Sequence, residues 1–364
     1  MPTRPKHGDV HDAPTVDETL RRMRARLSGI VPDDELPPKA GLAFQINQLK
    51  RERNAVILGH NYMEPALYHS VPDYVGDSLQ LARISAEIDA DIIVFCGVTF
   101  MAETAKVLNP TRMVLIPDPE AGCSLAEGIR GEDVRKLKAV YPGAPVVTYV
   151  NTNAETKAES DYCCTSGNAV AVVRHLLELG HERIVFLPDE YLARNTANEL
   201  GLDYVAAADP LDEAPENAGV RPGTRSIIGW HVRCEVHELY TVADVEDMRT
   251  QHPDAVIIAH PECSPQVIEK VDIAGSTKRM VDYIRDVDAP GYFLLTEYSM
   301  GRNLAAEFPD RNVVLACPEY CKHMQLITLE KTLASLQRLQ YEVHLDADVI
   351  ARARAPIDRM LAIM

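Results

Sequence analysis

Residues 55–62 of the chain read AVILGHNY, a short apolar run that ends in a histidine, an asparagine and a tyrosine. The same arrangement returns at residues 145–151, which read PVVTYVN, and at residues 255–262, which read AVIIAHPE. Apolar runs of this length indicate strands that are buried on both faces, as in a parallel sheet. The three copies predict that one structural unit is repeated three times along the chain.

Each copy continues with two further apolar runs that indicate strands, and helices separate the runs. The second runs lie at residues 91–95, 183–187 and 292–295, and the third runs at residues 113–116, 226–229 and 313–316. Strands that alternate with helices form βαβ units with mostly parallel sheets. Ligands of such sheets bind beyond the carboxyl ends of the strands. We therefore expect an α/β fold of three homologous α/β/α units, with short parallel sheets in a pseudo-threefold arrangement around a central active site.

The repeat also predicts how the chain is divided. Its middle copy is longer than the other two, and the excess falls on residues 204–225, which are rich in alanine, glycine, proline and acidic residues and indicate a surface insertion. The predicted divisions are a flexible N-terminal extension at residues 1–38, units at residues 39–142, 143–252 and 253–340, and a C-terminal helix within residues 341–364.

The bulk composition excludes several classes of protein. The 364 residues are 46% hydrophobic and 25% charged, as in an ordinary globular protein. They contain no apolar run of the roughly 18 residues that a membrane-spanning helix needs. The formal net charge of −17 repels nucleic acid and acidic membranes. The N-terminus lacks the apolar core of a signal peptide, so we expect a cytoplasmic location and neither nucleic acid nor a membrane as a partner.

Three of the eight cysteines hold equivalent positions in the repeat. Cys123, Cys234 and Cys321 each come shortly after the third predicted strand of their unit, so the fold can bring them to one point. Three thiolates can hold an iron–sulfur cluster by three of its irons and leave the fourth iron open to a substrate. The spacing therefore predicts a catalytic cluster and not an electron carrier.

Zinc is the competing metal, because several histidines lie two or three residues from a cysteine. These histidines are His237, His260 and His323. Three equivalent thiolates without a nearby fourth ligand favour the cluster, since soft thiolate ligands suit iron–sulfur sites. We assign no ligand role to the remaining cysteines, which are Cys96, Cys163, Cys164, Cys263 and Cys317.

Polar side chains follow the first strand of every unit, where a purely structural strand needs none. Six of them can exchange protons or hydrogen bonds at this edge: His60, Tyr62, Tyr149, Asn151, His260 and Glu262. A second set of hydroxyl residues stands at the predicted start of the next helix: Ser78, Ser166, Ser276 and Thr277. Each residue alone can serve as a simple loop or helix cap. Their equivalent positions favour a binding site that uses helix N-termini for anions.

Together these residues resemble the quinolinate synthases, the iron–sulfur enzymes of NAD biosynthesis. The matching segments are GHNY at 59–62, VGDS at 75–78, FCGVTFMAE at 95–103, AGCSL at 121–125, YVNT at 149–152, HPEC at 260–263, GST at 275–277 and CKHM at 321–324. In one departure from some relatives, Cys317 is one residue too far from Cys321 for a regulatory disulfide motif.

The resemblance implies three homologous α/β domains and one [4Fe–4S] cluster per chain, with Cys123, Cys234 and Cys321 as its three ligands. It implies the condensation of iminoaspartate with dihydroxyacetone phosphate to quinolinate, phosphate and water, with the open iron as a Lewis acid. L-aspartate oxidase is the implied source of iminoaspartate.

The resemblance also implies roles for the residues at the strand edges. Glu262 is expected to act as the principal base, with His60, Tyr62 and His260 as groups that move protons. The residues expected to bind the substrates are His60, Ser78, Tyr149, Asn151, Ser166, His260, Glu262, Ser276 and Thr277. Two alternatives stay open: another [4Fe–4S] hydro-lyase that acts on a small carboxylic acid, and, less favoured, an iron–sulfur redox sensor.

Overall fold

The structure, a computed structural model, describes residues 8–207, 223–315 and 318–363. Within these ranges the strands form three sheets of four, five and four strands. The first sheet contains β1 (Ala55–His60), β2 (Tyr74–Gly76), β3 (Ile92–Cys96) and β4 (Met113–Leu115), the second β5 (Val146–Tyr149), β6 (Tyr162–Cys164), β7 (Arg183–Leu187), β8 (Asp203–Ala206) and β9 (Ser226–Gly229), and the third β10 (Val256–Ala259), β11 (Ile273–Ala274), β12 (Tyr292–Leu295) and β13 (Val313–Val314).

The three sheets share one strand order. It is β2-β1-β3-β4 in the first sheet, β6-β5-β7-β9-β8 in the second and β11-β10-β12-β13 in the third, and all these neighbours are parallel. The first predicted strand of each unit is therefore an inner strand, and the second and third follow it on one side. The α/β fold of three units that the repeat predicted is confirmed.

Each sheet also contains an edge strand that the apolar runs did not predict. β2, β6 and β11 are only two or three residues long, which is too short to leave a clear pattern in the sequence. Each pairs with the last residues of the inner strand, as Gly76 does with His60 and Cys164 with Tyr149. This register brings the start of the following helix next to the polar residue that ends the inner strand.

Helices separate the strands and cover the sheets. They are α1 (Gly8–His11), α2 (Val16–Leu27), α3 (Leu36–Glu52), α4 (Pro65–Tyr68), α5 (Ser78–Glu87), α6 (Thr99–Leu108), α7 (Ser124–Glu127), α8 (Gly131–Val140), α9 (Ala154–Ala158), α10 (Ala169–Glu178), α11 (Glu190–Leu200), α12 (Val242–Gln251), α13 (Pro265–Ile268), α14 (Thr277–Asp286), α15 (Tyr298–Glu307), α16 (Leu329–Arg338) and α17 (Ala347–Ala362). Short 3₁₀ turns lie at His237–Leu239 and Met324–Leu326. No helix within the described ranges has both the length and the apolar character that a membrane crossing requires.

Three of these helices join the units into a closed ring. Each begins eight residues after a cysteine of the repeat: α8 after Cys123, α12 after Cys234 and α16 after Cys321. α8 shares an apolar cluster with the second sheet, and α12 shares one with the third sheet. α16 packs on α3 and β3 of the first unit. Each helix thus covers the sheet of the next unit, and α16 connects the third unit back to the first.

The predicted divisions can be compared with these elements. α2 lies inside the predicted N-terminal extension and packs on α3, and residues 1–7 lie outside the described residues. β8 overlaps the start of the predicted insertion and adds a fifth strand to the second sheet, and residues 208–222 lie outside the described residues. α17 stands where the C-terminal helix was expected and packs on α6, α9 and β6. The limits of the three units stay a prediction.

We expect the Leu336→Ala substitution to destabilise the ring. Leu336 lies on α16 and is fully buried in the core around the first sheet. Loss of a buried leucine side chain leaves a cavity and lowers the free energy of unfolding by about 2–5 kcal/mol. Denaturant unfolding followed by circular dichroism measures this change. Leu179→Ala, at an exposed position, should cost less than about 0.5 kcal/mol, and equal costs for both variants would contradict the role of α16.

Candidate active site

The central cleft is lined by residues from the carboxyl ends of all three sheets. Its empty space, which includes the part open to solvent, is about 710 Å³. The predicted site residues that line it are His60, Tyr62, Ser78, Cys123, Tyr149, Asn151, Ser166, Cys234, His260, Glu262, Thr277 and Cys321. The exception is Ser276, which caps α14 and hydrogen-bonds with Asp77 instead.

Each cysteine of the repeat lies just before a short helical turn, so that backbone N–H groups point at its sulfur. The N–H groups two and three residues further along the chain donate to the sulfur in all three units. Burial raises the pKa of the three thiols, to about 11 for Cys321, and the N–H groups oppose this rise. Hydrogen bonds to cysteine sulfur are typical of iron–sulfur sites.

A backbone hydrogen bond holds each cysteine loop at the same place. The first residue of the helix that follows the second predicted strand donates its N–H group to the carbonyl group two residues before the cysteine. The three bonds are Thr99 N to Ala121 O at 2.8 Å, Glu190 N to Val232 O at 2.8 Å and Tyr298 N to Glu319 O at 2.9 Å. The equivalence of the cysteines in the sequence is therefore matched by equivalent backbone contacts.

The donor set of the cleft fits one iron–sulfur group shared by the three units. All three cysteines of the repeat line the cleft, whereas the other cysteines that the structure describes are buried outside its lining, and Cys317 lies outside the described residues. The competing single-ion site consists of Cys234, His237 and Glu262, whose ligand atoms lie within 4.8 Å of one another. That set uses one thiol and leaves the equivalence of the three cysteines unexplained.

Glu262 belongs to a buried hydrogen-bonded cluster in the wall of the cleft. Its Oε2 atom lies 2.6 Å from Nδ1 of His237 and 3.6 Å from Nδ1 of His260, and the hydroxyl group of Tyr149 donates to the carboxylate. Burial by itself raises the pKa of Glu262, but the neighbouring His260 and His237 and the hydrogen bonds from His237 and Tyr149 outweigh burial and hold this pKa below its usual range. Glu262 is therefore an ionised carboxylate that is hidden from water and supplied with hydrogen-bond donors.

His60 and His260 are neutral imidazoles near pH 7. Burial lowers the pKa of His60 to about 4 and that of His260 to about 3, although the charge of Glu262 opposes both shifts. The ring of His260 stacks on that of His237 with centroids 4.5 Å apart, and His60 meets Tyr62 edge-on at 4.6 Å. A neutral imidazole carries one donor and one acceptor nitrogen, so both histidines can pass protons.

Asp189 is a second buried carboxyl group near Glu262, and sequence reasoning did not single it out. It is not among the residues that line the cleft, and its side chain accepts the N–H group of Leu192 at the start of α11. Burial, and then the charge of Glu262, raises the pKa of Asp189 well above its usual range. Glu262 carries the charge and Asp189 keeps its proton, because Glu262 has the stronger set of donors.

A chain of hydrogen bonds that the sequence did not predict connects two walls of the cleft. Oγ1 of Thr296 lies 2.6 Å from the hydroxyl group of Tyr62 and 3.1 Å from Nε2 of His237. Nδ1 of His237 faces Glu262 and also lies 3.2 Å from Sγ of Cys234. Thr296 directly follows β12, so the rule that polar residues after a strand line the site could have identified it. For His237, the spacing from Cys234 indicates only a candidate zinc ligand.

Helix N-termini supply the cleft with neutral hydrogen-bond donors. Ser78 is the first residue of α5, Thr277 is the first residue of α14, and Ser166 comes shortly before α10. The amide group of Asn61 donates to Oγ1 of Thr277 at 2.9 Å. Oδ1 of Asn151 is buried without a hydrogen-bond partner among the described residues. Free N–H groups and the helix dipole make such ends favourable for carboxylate and phosphate groups.

Comparison with known proteins identifies the family. The family model described as quinolinate synthetase A protein matches residues 44–362, which is most of the chain. The chain belongs to the quinolinate synthase family. Quinolinate synthases are enzymes of NAD biosynthesis and generally depend on an iron–sulfur group, in agreement with the possible metal site of the cleft.

Several quinolinate synthases are similar to this chain over most of their length. Quinolinate synthase 2 of Mesorhizobium japonicum is 45% identical over 349 residues, which are 96% of this chain and 99% of the relative. Quinolinate synthase of Xylella fastidiosa strain 9a5c is 49% identical over 318 residues, 87% of this chain and 86% of the relative. That of Agrobacterium fabrum is 46% identical over 333 residues, 90% and 89% of the two chains. The resemblance seen in the motifs is confirmed.

We expect the Thr296→Val substitution to lower turnover without unfolding this quinolinate synthase family member. Valine keeps the shape of threonine but removes the hydroxyl group that joins Tyr62 to His237. Loss of these two buried hydrogen bonds leaves only the direct contact between the Tyr62 hydroxyl group and Nε2 of His237 at 3.4 Å. We expect this loss to lower kcat about 10-fold and to change KM less. The rate of quinolinate formation measures the effect. Thr19→Val breaks only a bond to Thr15 at the start of α2, and a kcat of Thr296→Val equal to that of this control would contradict the expectation.

Proposed function

We propose that this chain condenses iminoaspartate with dihydroxyacetone phosphate to give quinolinate, phosphate and water. The observation that carries the proposal is the presence of three equivalent cysteines and Glu262 in one cleft of a quinolinate synthase family member. Cys123, Cys234 and Cys321 hold one [4Fe–4S] cluster per chain. When bound, a cluster with three thiolate ligands supplies a Lewis acid at its remaining iron.

Neutral donors in the cleft bind the two anionic substrates. No lysine or arginine is found among the described residues that line the cleft, and the chain as a whole carries a net charge of −17. Carboxylate and phosphate groups are therefore held by hydroxyl, amide and backbone N–H groups at helix N-termini. The residues in this role are Ser78, Tyr149, Asn151, Ser166 and Thr277, and Ser276 supports it from behind as the cap of α14.

Glu262 is the principal base of the reaction. Its ionised carboxylate accepts a proton from carbon next to a carbonyl or imine group, and the contacts to His237 and Tyr149 keep it oriented. His60 and His260 pass protons as neutral imidazoles. Burial raises the pKa of Tyr62 well above its usual range, so its hydroxyl group keeps its proton and donates to the carbonyl oxygen of the triose.

L-aspartate oxidase supplies the iminoaspartate. An imine hydrolyses in water, so it must reach the cleft soon after it forms. We place the reaction in the cytoplasm, because this compartment keeps thiols reduced and the proposed cluster needs three reduced cysteines.

Metal analysis tests the cluster. A chain purified without oxygen should contain about four irons and four sulfides and show the broad visible absorption of an iron–sulfur cluster. Replacement of Cys123, Cys234 or Cys321 by serine should abolish both, because each variant removes one of three ligands. Cys96→Ala is the control, as Cys96 is buried outside the cleft lining. Stoichiometric zinc in the parent chain, or a normal cluster in any of the three serine variants, would refute the assignment.

A product assay tests the reaction itself. The loaded chain is incubated with iminoaspartate and dihydroxyacetone phosphate under anaerobic conditions, and quinolinate and phosphate are measured. Glu262→Gln should keep the cluster absorption and lower kcat by about 100-fold or more, since the amide cannot accept the proton. Glu132→Gln, at an exposed ion pair with Lys136, should behave like the parent. Product from other small acids but not from these substrates would favour a different hydro-lyase.

A further inference from the structure

An asparagine side chain holds the loop that carries the proposed base. Nδ2 of Asn195 donates to the carbonyl oxygen of Pro261 at 2.8 Å and to that of Cys263 at 2.9 Å. These carbonyl groups belong to the residues on either side of Glu262. One amide group therefore restrains the peptide units before and after the carboxylate that faces the cleft.

A second asparagine repeats this arrangement in the first unit. Nδ2 of Asn303 donates to the carbonyl oxygen of Asn61 at 3.0 Å and to that of Met63 at 2.8 Å. These residues flank Tyr62 in the same way. Asn303 is only 2% exposed, so water does not compete for its two N–H groups, and both are used.

Both contacts cross a boundary between units of the ring. Asn195 is the sixth residue of α11 in the second unit, and α11 packs on α13, which follows the Glu262 loop of the third unit. Asn303 is the sixth residue of α15 in the third unit, and α15 packs on α4, which follows the Tyr62 loop of the first unit. Each loop is therefore positioned by the unit before it in the ring.

The remaining boundary provides an internal comparison. The sixth residue of α6 is Thr104, whose hydroxyl group donates to the carbonyl oxygen of Phe100 in its own helix at 2.8 Å. The loop that follows β5 is held by a carboxylate of the preceding unit and not by an amide, because Glu103 on α6 accepts the N–H group of Ala154 at 2.7 Å. Within the second unit, Nζ of Lys157 also donates to the carbonyl oxygen of Thr152. An asparagine is thus found at the two boundaries between units where the contacted loop carries Glu262 or Tyr62.

We propose that Asn195 and Asn303 are positioning residues of the reaction, Asn195 for Glu262 and Asn303 for Tyr62. The inference rests on the proposed function, in which Glu262 accepts a proton and Tyr62 donates a hydrogen bond to the substrate. Proton transfer needs the two heavy atoms within hydrogen-bond distance, and a misplacement of about 1 Å can lower a rate about 100-fold. Without the amide contacts the loops keep the backbone bonds of their turns but lose their anchor in the neighbouring unit.

The substitution Asn195→Leu tests the inference. Leucine keeps the branched shape of asparagine and removes both N–H donors. We expect kcat per cluster-loaded chain to fall about 10- to 100-fold, while KM, the iron content and the midpoint of thermal unfolding stay close to those of the parent. Hydrogen–deuterium exchange should become faster in residues 260–264 and stay unchanged in residues 60–64. Asn303→Leu should give the reverse exchange pattern.

Thr104→Val is the matched control, because it changes the equivalent position at the boundary without an asparagine. Its kcat should stay within about twofold of the parent. A lower unfolding midpoint with a normal kcat would assign the asparagines to fold stability alone and overturn the inference. Exchange needs no reaction, so a parent chain that forms no quinolinate refutes the proposed function, whereas unchanged exchange at residues 260–264 in Asn195→Leu refutes the anchoring itself.

Discussion

The closure of the three units into a ring is the constraint on which the rest of the structure depends. Each sheet has only four or five short strands and takes a covering helix from the unit before it. The helix α16 supplies this cover to the first unit and so completes the cycle. Because the units share one strand order, closure directs three carboxyl edges to one cleft and places three equivalent cysteine loops along its wall.

The wall of the cleft holds an ionised carboxylate, that of Glu262, among uncharged hydrogen-bonding groups. Glu262 is ionised although it is buried, because hydrogen bonds from His237 and Tyr149 replace the water that it has lost. The nearby carboxyl group of Asp189 keeps its proton, so the two buried acids do not repel each other as two charges. A site of this kind depends on the fixed direction of its donors, since it has no lysine or arginine among its described lining residues to provide a long-range field.

Much of the fold could be predicted from local patterns, and all but one of the candidate site residues predicted in this way line the cleft. The apolar runs indicated the inner strands. The spacing of the cysteines favoured Cys123 over Cys96 as the cysteine of the first unit, and Cys123 lines the cleft in the structure. The short edge strands gave too weak a pattern to be recognised. Ser276 stands at the expected helix start but does not line the cleft, because its side chain caps the helix and meets Asp77.

The sequence by itself determined the type of each unit, the order of its three longer apolar strands along the chain, and which cysteines are equivalent, because periodicity and spacing are local properties. Only the tertiary structure decided that Thr296 joins Tyr62 to His237 and that Asn303 holds the Tyr62 loop. These partners are far apart in the chain, and Asn303 is 242 residues from the asparagine whose carbonyl group it contacts. Such contacts arise when the ring closes, and no pattern within a single unit can specify them.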